Sequence, residues 1–364
     1  MTTSHTPPQT NATHINWVNT IFLTALTFSS IIGAALVFIY STVTWPTWVL
    51  AGGLLVAGGL GITAGYHRLF SHKTYTAPWP IQLMFALLGS ITLTGSVIEW
   101  SADHRNHHRY TDTKKDPYNI KQGFWYAHIG WILTRDYSKR DLDNVDDLQA
   151  IWFLRLQDRE WLGLTVSIMT GLLLPMAIAS LWGEAMGGLF IAGGLRIIAG
   201  HHAVFCINSI CHVFGKSNYS KQISARDSWV TALFTLGEGY HNYHHQFPLD
   251  YRNGIKWYHF DPSKWLIFAF SKVGLASNLH RIPNYRIIQA RVEAHQSELQ
   301  TQQSHPLLER LQESILQATS MIKQYEKTYA KSKLKEHRLK LTEAKKELAA
   351  LFSNWKQLCA QSPA

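Results

Sequence analysis

Hydrophobic and polar positions along this chain fall into long blocks. Trp17 to Tyr40 is one apolar run, long enough to cross a bilayer as a helix. Trp45-Pro46-Thr47-Trp48 has the composition of a membrane interface, and about Thr47 to Tyr66 forms a second apolar run rich in glycine. The link between the two is short and uncharged, as expected of a hairpin on the translocated side. A second pair, about Trp161 to Leu181 and Gly188 to Phe205, is joined by Trp182-Gly-Glu-Ala. Ile81 to Ile98 is apolar but short and broken by Gly89, Gly95 and several Ser and Thr residues. If it spanned, the polar residues on its two sides would lie on opposite faces of the membrane. It reads as a re-entrant or interface-lying helix. Four spans in two hairpins follow.

Beyond the spans the pattern changes twice. Ser220 to Leu236 reads as a helix lying near the interface, with Trp229, Leu233 and Leu236 on its apolar side. From about Tyr285 the chain turns to Gln, Glu, Lys and Leu. Leu308, Leu311, Ile315, Ala318, Ile322, Tyr325 and Tyr329 recur in steps of three and four. Leu334, Leu341, Ala344, Leu348, Leu351, Trp355 and Leu358 continue in a shifted phase after Lys331-Ser332-Lys333. This predicts either a helical hairpin packed on itself or a stuttered coiled coil with another chain. The expected organisation is a polar tail over 1–16, a membrane domain over 17–284 and a helical cytosolic tail over 285–364.

Charge orients this picture. No Lys, Arg, Asp or Glu occurs before Arg68, and the segment between the hairpins is rich in Lys and Arg. The positive-inside rule places that segment, the tail and both termini in the cytoplasm. A polar N-terminal stretch without a basic start does not read as a cleaved signal peptide. Net charge is +10, which suits membrane lipid headgroups, an acidic protein partner or a phosphorylated substrate. No basic, aromatic-interleaved stretch suggests nucleic acid. Cys206, Cys211 and Cys359 make no pairing framework, which fits a reducing compartment.

Against this background the histidines stand out. Gly237-Glu-Gly-Tyr-His-Asn-Tyr-His-His245 puts His241, His244 and His245 at i, i+3 and i+4, on one helical face. His104, His107 and His108 repeat that spacing. His67 and His72 are five apart, about a third of a turn out of register on an ideal α-helix, which suits a motif crossing the end of a span. Imidazole suits iron, zinc, copper and nickel, and eight clustered histidines are enough for two ions. His212, four after Asn208, is a ninth candidate, equally readable as a packed, hydrogen-bonded residue. Asp103, Asp116 and Glu238 lie beside the clusters and are candidates to orient ligand imidazoles from behind. His128, His201, His202 and His259 lack partner spacing and read as structural. No Ser-His-Asp arrangement and no phosphate-binding glycine loop is present. A metal pair at the cytosolic ends of membrane helices points to a substrate that lives in the bilayer.

His67-Arg-Leu-Phe-Ser-His72, Glu99-Trp100 with Asp103-His-Arg-Asn-His-His108, Asn208 to His212 and Gly237 to His245 together closely resemble the membrane fatty acid desaturases of the stearoyl-CoA, Δ9 type. Flanking text agrees at Gly61-Ile-Thr-Ala-Gly65, Asp116-Pro117, Gly123-Phe124 with His128-Ile-Gly-Trp131, and Phe247-Pro248 with Asp250-Tyr251. The resemblance runs from roughly Gly61 to Tyr258 and leaves out the C-terminal tail. It implies an all-α integral membrane protein with four spans and a cytosolic helical cap. It implies two iron ions held by His67, His72, His104, His107, His108, His212, His241, His244 and His245, with Asn208 reaching one through water. No catalytic residue beyond the metal ligands is expected.

The implied reaction uses O2 and two electrons to place a cis double bond, Δ9 by type, in a long saturated acyl chain. Electrons would come from NAD(P)H through a separate ferredoxin, flavoprotein reductase or cytochrome b5-type donor. The chain departs from the animal acyl-CoA members at Ala102 and Asp136, where they carry positive charge. Arg135 remains, and Lys139 and Arg140 could compensate. Acyl-CoA is the first expected carrier and a lipid-bound acyl group the second. Trp131 and Arg135 are expected at the substrate headgroup, and Ala51 and Leu55 at the chain's end. A bacterial cytoplasmic membrane is expected ahead of the endoplasmic reticulum. The rival readings are a di-iron hydroxylase of lipids or alkanes, and a non-enzymatic membrane metal-binding protein.

Overall fold

The computed structural model describes residues 15–135, 141–299 and 306–361, and these are helical, with isolated β-bridges and no strand. They form two compact units. One comprises the described parts of Met1–Tyr66 and Leu83–Ser209, the other those of His67–Gln82 and Ile210–Ala364.

Among the described residues four helices are long and apolar enough to cross a membrane: α1 (Trp17–Tyr40), α2 (Trp45–Ser71) and, after the shorter α3 (Trp79–Ser90) and α4 (Val97–Tyr110), α5 (Glu160–Ser180) and α6 (Ala185–Val213). Asn16 caps α1 by accepting the Asn19 N–H at 3.0 Å. Pro46 sits in the first turn of α2, where its missing N–H is harmless. α1 coincides with its expected run and α5 lies within one residue of its own, whereas α2 and α6 run past theirs at both ends. The reason is visible in α2: from Gly61 to Ser71 it winds as a π-helix, and a hydrophobicity window stops at the polar residues this winding carries.

Small residues let the apolar helices of the first unit approach closely. A Cβ on Gly33 would collide with the Phe190 ring, and one on Gly194 with Ser30. Gly61 lies against the backbone of Leu88 and Gly89, and Tyr66 lies where a Gly89 Cβ would stand. The short apolar α3 thereby packs on the end of α2. Gln157 completes this join: its amide donates to the Tyr66 hydroxyl at 2.8 Å and to Ser90 Oγ at 2.7 Å.

The two connections outside the apolar helices meet each other. Glu184, between α5 and α6, accepts from the Thr44 N–H at 2.9 Å, from the Thr44 hydroxyl at 2.5 Å and from the Thr47 hydroxyl at 2.6 Å. These hydroxyl bonds hold its carboxyl below the usual carboxylate value. Trp182 Nε1 donates to Thr47 Oγ1 at 2.9 Å. The carboxylate thus satisfies an N–H at the start of α2 that no intrahelical bond can reach.

In the second unit the expected helix over Ser220 to Leu236 is reduced to α7 (Trp229–Phe234). Side chains and bridges claim the preceding backbone. Asn242 Oδ1 accepts from Tyr219 N–H at 2.7 Å, and its amide donates to the carbonyls of Ser220 and Ala225. Asp227 bridges Lys216 and Tyr240, and Leu236 adopts a positive φ of 51°. Competition from such side-chain bonds is what periodicity cannot register. There follow α8 (His241–Gln246), α9 (Pro262–Lys272) and α10 (Asn284–Leu299).

The unit ends in α11 (Pro306–Ser332) and α12 (Lys335–Gln361), which pack on each other and on α10. Lys333 takes a left-handed φ of 55° at the turn. Leu308, Ile315, Ala318 and Ile322 of α11 meet Ala344, Leu348 and Trp355 of α12, with Tyr285 and Val292 of α10 in the same core. The repeating positions are therefore buried by a helical hairpin. Leu334, in the turn, is exposed.

Candidate metal centre

Six histidines of the second unit form two groups. His67 lies inside the π-helical end of α2, and His72 follows it directly. The His72 N–H donates to the His67 carbonyl at 3.0 Å, an i to i+5 bond. A π turn thus brings into register two residues that an α-helix would place on different faces. His244 of α8 joins them: its Nε2 lies 2.9 Å from Nε2 of His67, and its ring centre lies 4.8 Å from that of His72. One ring nitrogen from each of the three lies within 4.8 Å of the others.

His212, near the end of α6, forms the second group with His241 and His245. Nε2 of His241 lies 3.1 Å from Nε2 of His212 and 3.1 Å from Nε2 of His245. Nδ1 of His212 faces the Ser224 hydroxyl at 2.7 Å. His212 is therefore part of the cluster and not an isolated packed histidine. The winding of α6 is interrupted at Ser209, between Asn208 and His212. Asn208 ends the regular helix half-buried.

Carboxylates set the direction of these rings. Glu238 Oε2 lies 2.9 Å from His67 Nδ1, and its other oxygen accepts from Arg68 at 3.0 Å. A carboxylate can only accept, so Nδ1 of His67 carries the proton and, in the neutral ring, Nε2 keeps a lone pair. That lone pair faces His244. Burial opposes ionisation of Glu238, but its contacts with His67 and Arg68 outweigh it and hold the carboxyl below its usual value. Arg68 is itself fully buried, pairs with Asp261 at 2.8 Å and donates to the Tyr251 carbonyl at 3.0 Å. Gly237, at a φ of 101°, passes so near Asp261 that a side chain there would meet it at 2.8 Å.

In the first unit α4 carries the other three candidate ligand histidines. Ser96 caps the helix by accepting from the Glu99 N–H at 3.1 Å, which fixes where its faces begin. His104 and His107 are buried and His108 half-buried, with ring centres of His104 and His108 4.7 Å apart. Asp116 Oδ1 faces His107 Nδ1 at 2.8 Å, the arrangement Glu238 makes with His67. Burial raises the Asp116 carboxyl, but His107 and the N–H groups of Asp112 and Tyr118 prevail and lower it. Asp103 is engaged by Arg135, which also reaches Glu99 at 3.2 Å.

The donor sets fit borderline divalent metals: imidazole nitrogens converge, and a carboxylate backs Nδ1 of His67 and of His107. Sequence reasoning missed Arg68 as the partner of Glu238. An arginine beside a histidine box carries no periodic signal, and only its burial reveals it.

The first unit also holds an open cleft of about 850 Å³. Ile15, Val18, Phe22, Leu93, Trp161 and Leu164 give it apolar walls, and Asn16, Asn19, Glu99, Arg135, Asp158 and Glu160 give it polar ones. Arg135 is thus in the cleft, while Trp131, Ala51 and Leu55 lie outside its lining. Trp131 packs edge-on against Tyr118, with ring centres 4.5 Å apart. Ala51 is half-buried, and Leu55 passes beside Gly200. Asp136, Lys139 and Arg140 lie outside the described residues.

Comparison with known proteins identifies relatives of this chain. The sequence profile described as fatty acid desaturase matches residues 43–275. A probable acyl-CoA desaturase of Schizosaccharomyces pombe is 43% identical over 291 residues, 79% of this chain and 59% of the relative. Acyl-CoA desaturase 1 of Saccharomyces cerevisiae is 42% identical over 244 residues, 66% of this chain and 48% of the relative. Stearoyl-CoA desaturase 5 of Homo sapiens is 35% identical over 274 residues, 74% of this chain and 82% of the relative. The match therefore spans about half to three-fifths of the two yeast proteins and most of the human one. On the extent of these matches, the chain belongs to the fatty acid desaturase family.

Proposed function

We propose that the chain is an oxygen-dependent, di-iron acyl desaturase that converts a long-chain saturated acyl-CoA to a cis monounsaturated product, Δ9 by type, in fatty acid biosynthesis. The observation that carries this reading is the convergence of Nε2 atoms within each histidine group, with Nδ1 of His67 held by a carboxylate. Three imidazoles leave positions on an ion to be filled. The three histidines of α4, His104, His107 and His108, are proposed as further ligands of the two ions. Asn208 would reach the second ion through water.

When bound, the iron pair supplies the oxidising power that unactivated methylene C–H bonds require, since they have no acidity for a base to exploit. The protein's own residues do the rest. Glu238 and Asp116 hold the ring tautomers, Arg68 holds Glu238, and the cleft of the first unit keeps the acyl chain in one register. Electrons reach the site from NAD(P)H through a ferredoxin, flavoprotein reductase or cytochrome b5-type carrier.

The topology proposed is two hairpins with both termini and the iron site on the cytoplasmic side. The bonds from Thr44 and Thr47 to Glu184 support it, because they tie both hairpin tips together. The membrane domain is proposed over 17–284, after a polar tail over 1–16, with the helical hairpin of 285–364 as a cytosolic appendage.

A second carrier, an acyl group on a glycerolipid, is favoured by one observation. Arg135 is paired to Glu99 and Asp103, and Asp158 and Glu160 also line the cleft, so its described polar wall is not basic. Expression in a desaturase-deficient host, with fatty acids measured by gas chromatography, tests the activity. A new cis monoene that His244→Ala abolishes is expected; hydroxy acids alone, from an iron-loaded protein with a competent donor, would reject it. Purified protein offered acyl-CoA or phospholipid then separates the carriers.

A further inference from the structure

The fourth apolar helix, α6, carries a cation among apolar neighbours. Arg196 is 4% exposed. Its Nε donates to the Ala192 carbonyl at 3.0 Å, its Nη1 to Ile91 at 2.7 Å and its Nη2 to Gly171 at 2.7 Å. Five residues on, His201 Nε2 lies 2.7 Å from the Thr92 carbonyl. A carbonyl only accepts, so that nitrogen carries its proton. Two side chains of one helix therefore hold consecutive carbonyls of the turn that ends α3.

The next residue is the one that matters. Leu93 has a left-handed φ of 54°, unfavourable for a branched side chain, and it lines the cleft of the first unit. Gly171 of α5 makes room for it: a Cβ there would stand 2.6 Å from Leu93 Cδ1 and 2.8 Å from the Ile91 carbonyl. An intramembrane charge is costly and is kept where it does something an apolar residue cannot. Here it gathers carbonyls from three segments behind one strained wall residue.

We propose that Arg196 and His201 are positioning residues for the acyl chain: by clamping the Ile91–Thr92 carbonyls they fix Leu93 as the wall that selects which carbon pair is oxidised. The inference rests on the acyl-chain reading of the cleft.

The test uses full-length protein in membranes of a desaturase-deficient host with one electron donor throughout. Wild type, Arg196→Lys, Arg196→Gln, His201→Phe, His201→Gln and Leu93→Ala are compared for product yield, double-bond position by mass spectrometry and iron per chain. Wild type should give one dominant isomer. Leu93→Ala, Arg196→Gln and His201→Phe should change the isomer ratio by roughly tenfold at unchanged iron content, the scale on which pockets discriminate one methylene. Arg196→Lys and His201→Gln, which keep a donor, should move back toward wild type. A wild-type isomer ratio at reduced yield in the Arg196 and His201 variants overturns the proposal and leaves them structural. Should Arg196→Gln not insert, the His201 pair and Leu93→Ala decide the matter. No monoene from iron-loaded wild type rejects the desaturase reading, and this inference with it.

Discussion

Glu238 holds His67 from behind, with a carboxylate oxygen 2.9 Å from Nδ1 while the ring's other nitrogen faces His244. Glu238→Gln keeps an acceptor for Nδ1–H but leaves the buried Arg68 with one carboxylate fewer. Metal affinity should fall by about 10–100-fold, the usual cost of losing a partner behind a ligating histidine. Iron per chain after graded chelator challenge measures it. Retention equal to wild type would assign Glu238 to folding alone.

The bonds from Thr44 and Thr47 to Glu184 make a separate prediction. Glu184→Gln can replace only part of a three-donor site, whereas Glu184→Leu removes it. Glu184→Leu should lower thermal stability in detergent with iron content per folded chain unchanged. An unaltered unfolding temperature would show that the tie between the connections contributes nothing.

In the helical hairpin, Ile315 is fully buried between α11 and α12. Ile315→Ala should cost about 2–5 kcal/mol locally through lost transfer energy and a cavity. Hydrogen exchange should show α11 and α12 opening together. Activity in membranes should persist, because the hairpin carries none of the histidine ligands.

A pH dependence follows from Asp227. Burial pushes its carboxyl up to about 7, against the N–H groups of Tyr243 and Asn242 that favour ionisation. The unfolded chain releases this proton near the ordinary aspartate value, so the folded state holds the extra proton between the two. Stability from this group is then fullest below the unfolded pKa and declines as pH rises through about 7. Melting temperature should fall from mildly acid to mildly alkaline buffer, and Asp227→Asn should flatten that slope. An identical slope in the variant would remove Asp227 as its source.

Much of this was legible in the sequence because it is periodic. The four apolar helices follow from run length, and the triple-histidine faces of α4 and α8 from i, i+3, i+4 spacing. Leu308 to Leu358 marks the hairpin's core, though spacing alone could not choose between hairpin and partner chain. What escaped depends on groups distant in sequence. Asn242 binding the backbone of Ser220 and Ala225 removes an expected helix, and Arg68 finds Glu238 and Asp261 far along the chain. The His67 to His72 spacing looked out of register because α-helical geometry was the yardstick.

That spacing has a consequence for how this stretch tolerates change in length. A π turn is an α-helix that has absorbed extra residues, so the helix from Gly61 to Ser71 holds a phase offset. Removing one residue between Gly61 and Tyr66 would let it relax to α winding, in which His67 and His72, five apart, would stand about 140° apart about the axis instead of sharing a face. No substitution of comparable size could do this. The stretch behaves as a phase-locked spacer, closed to insertion or loss.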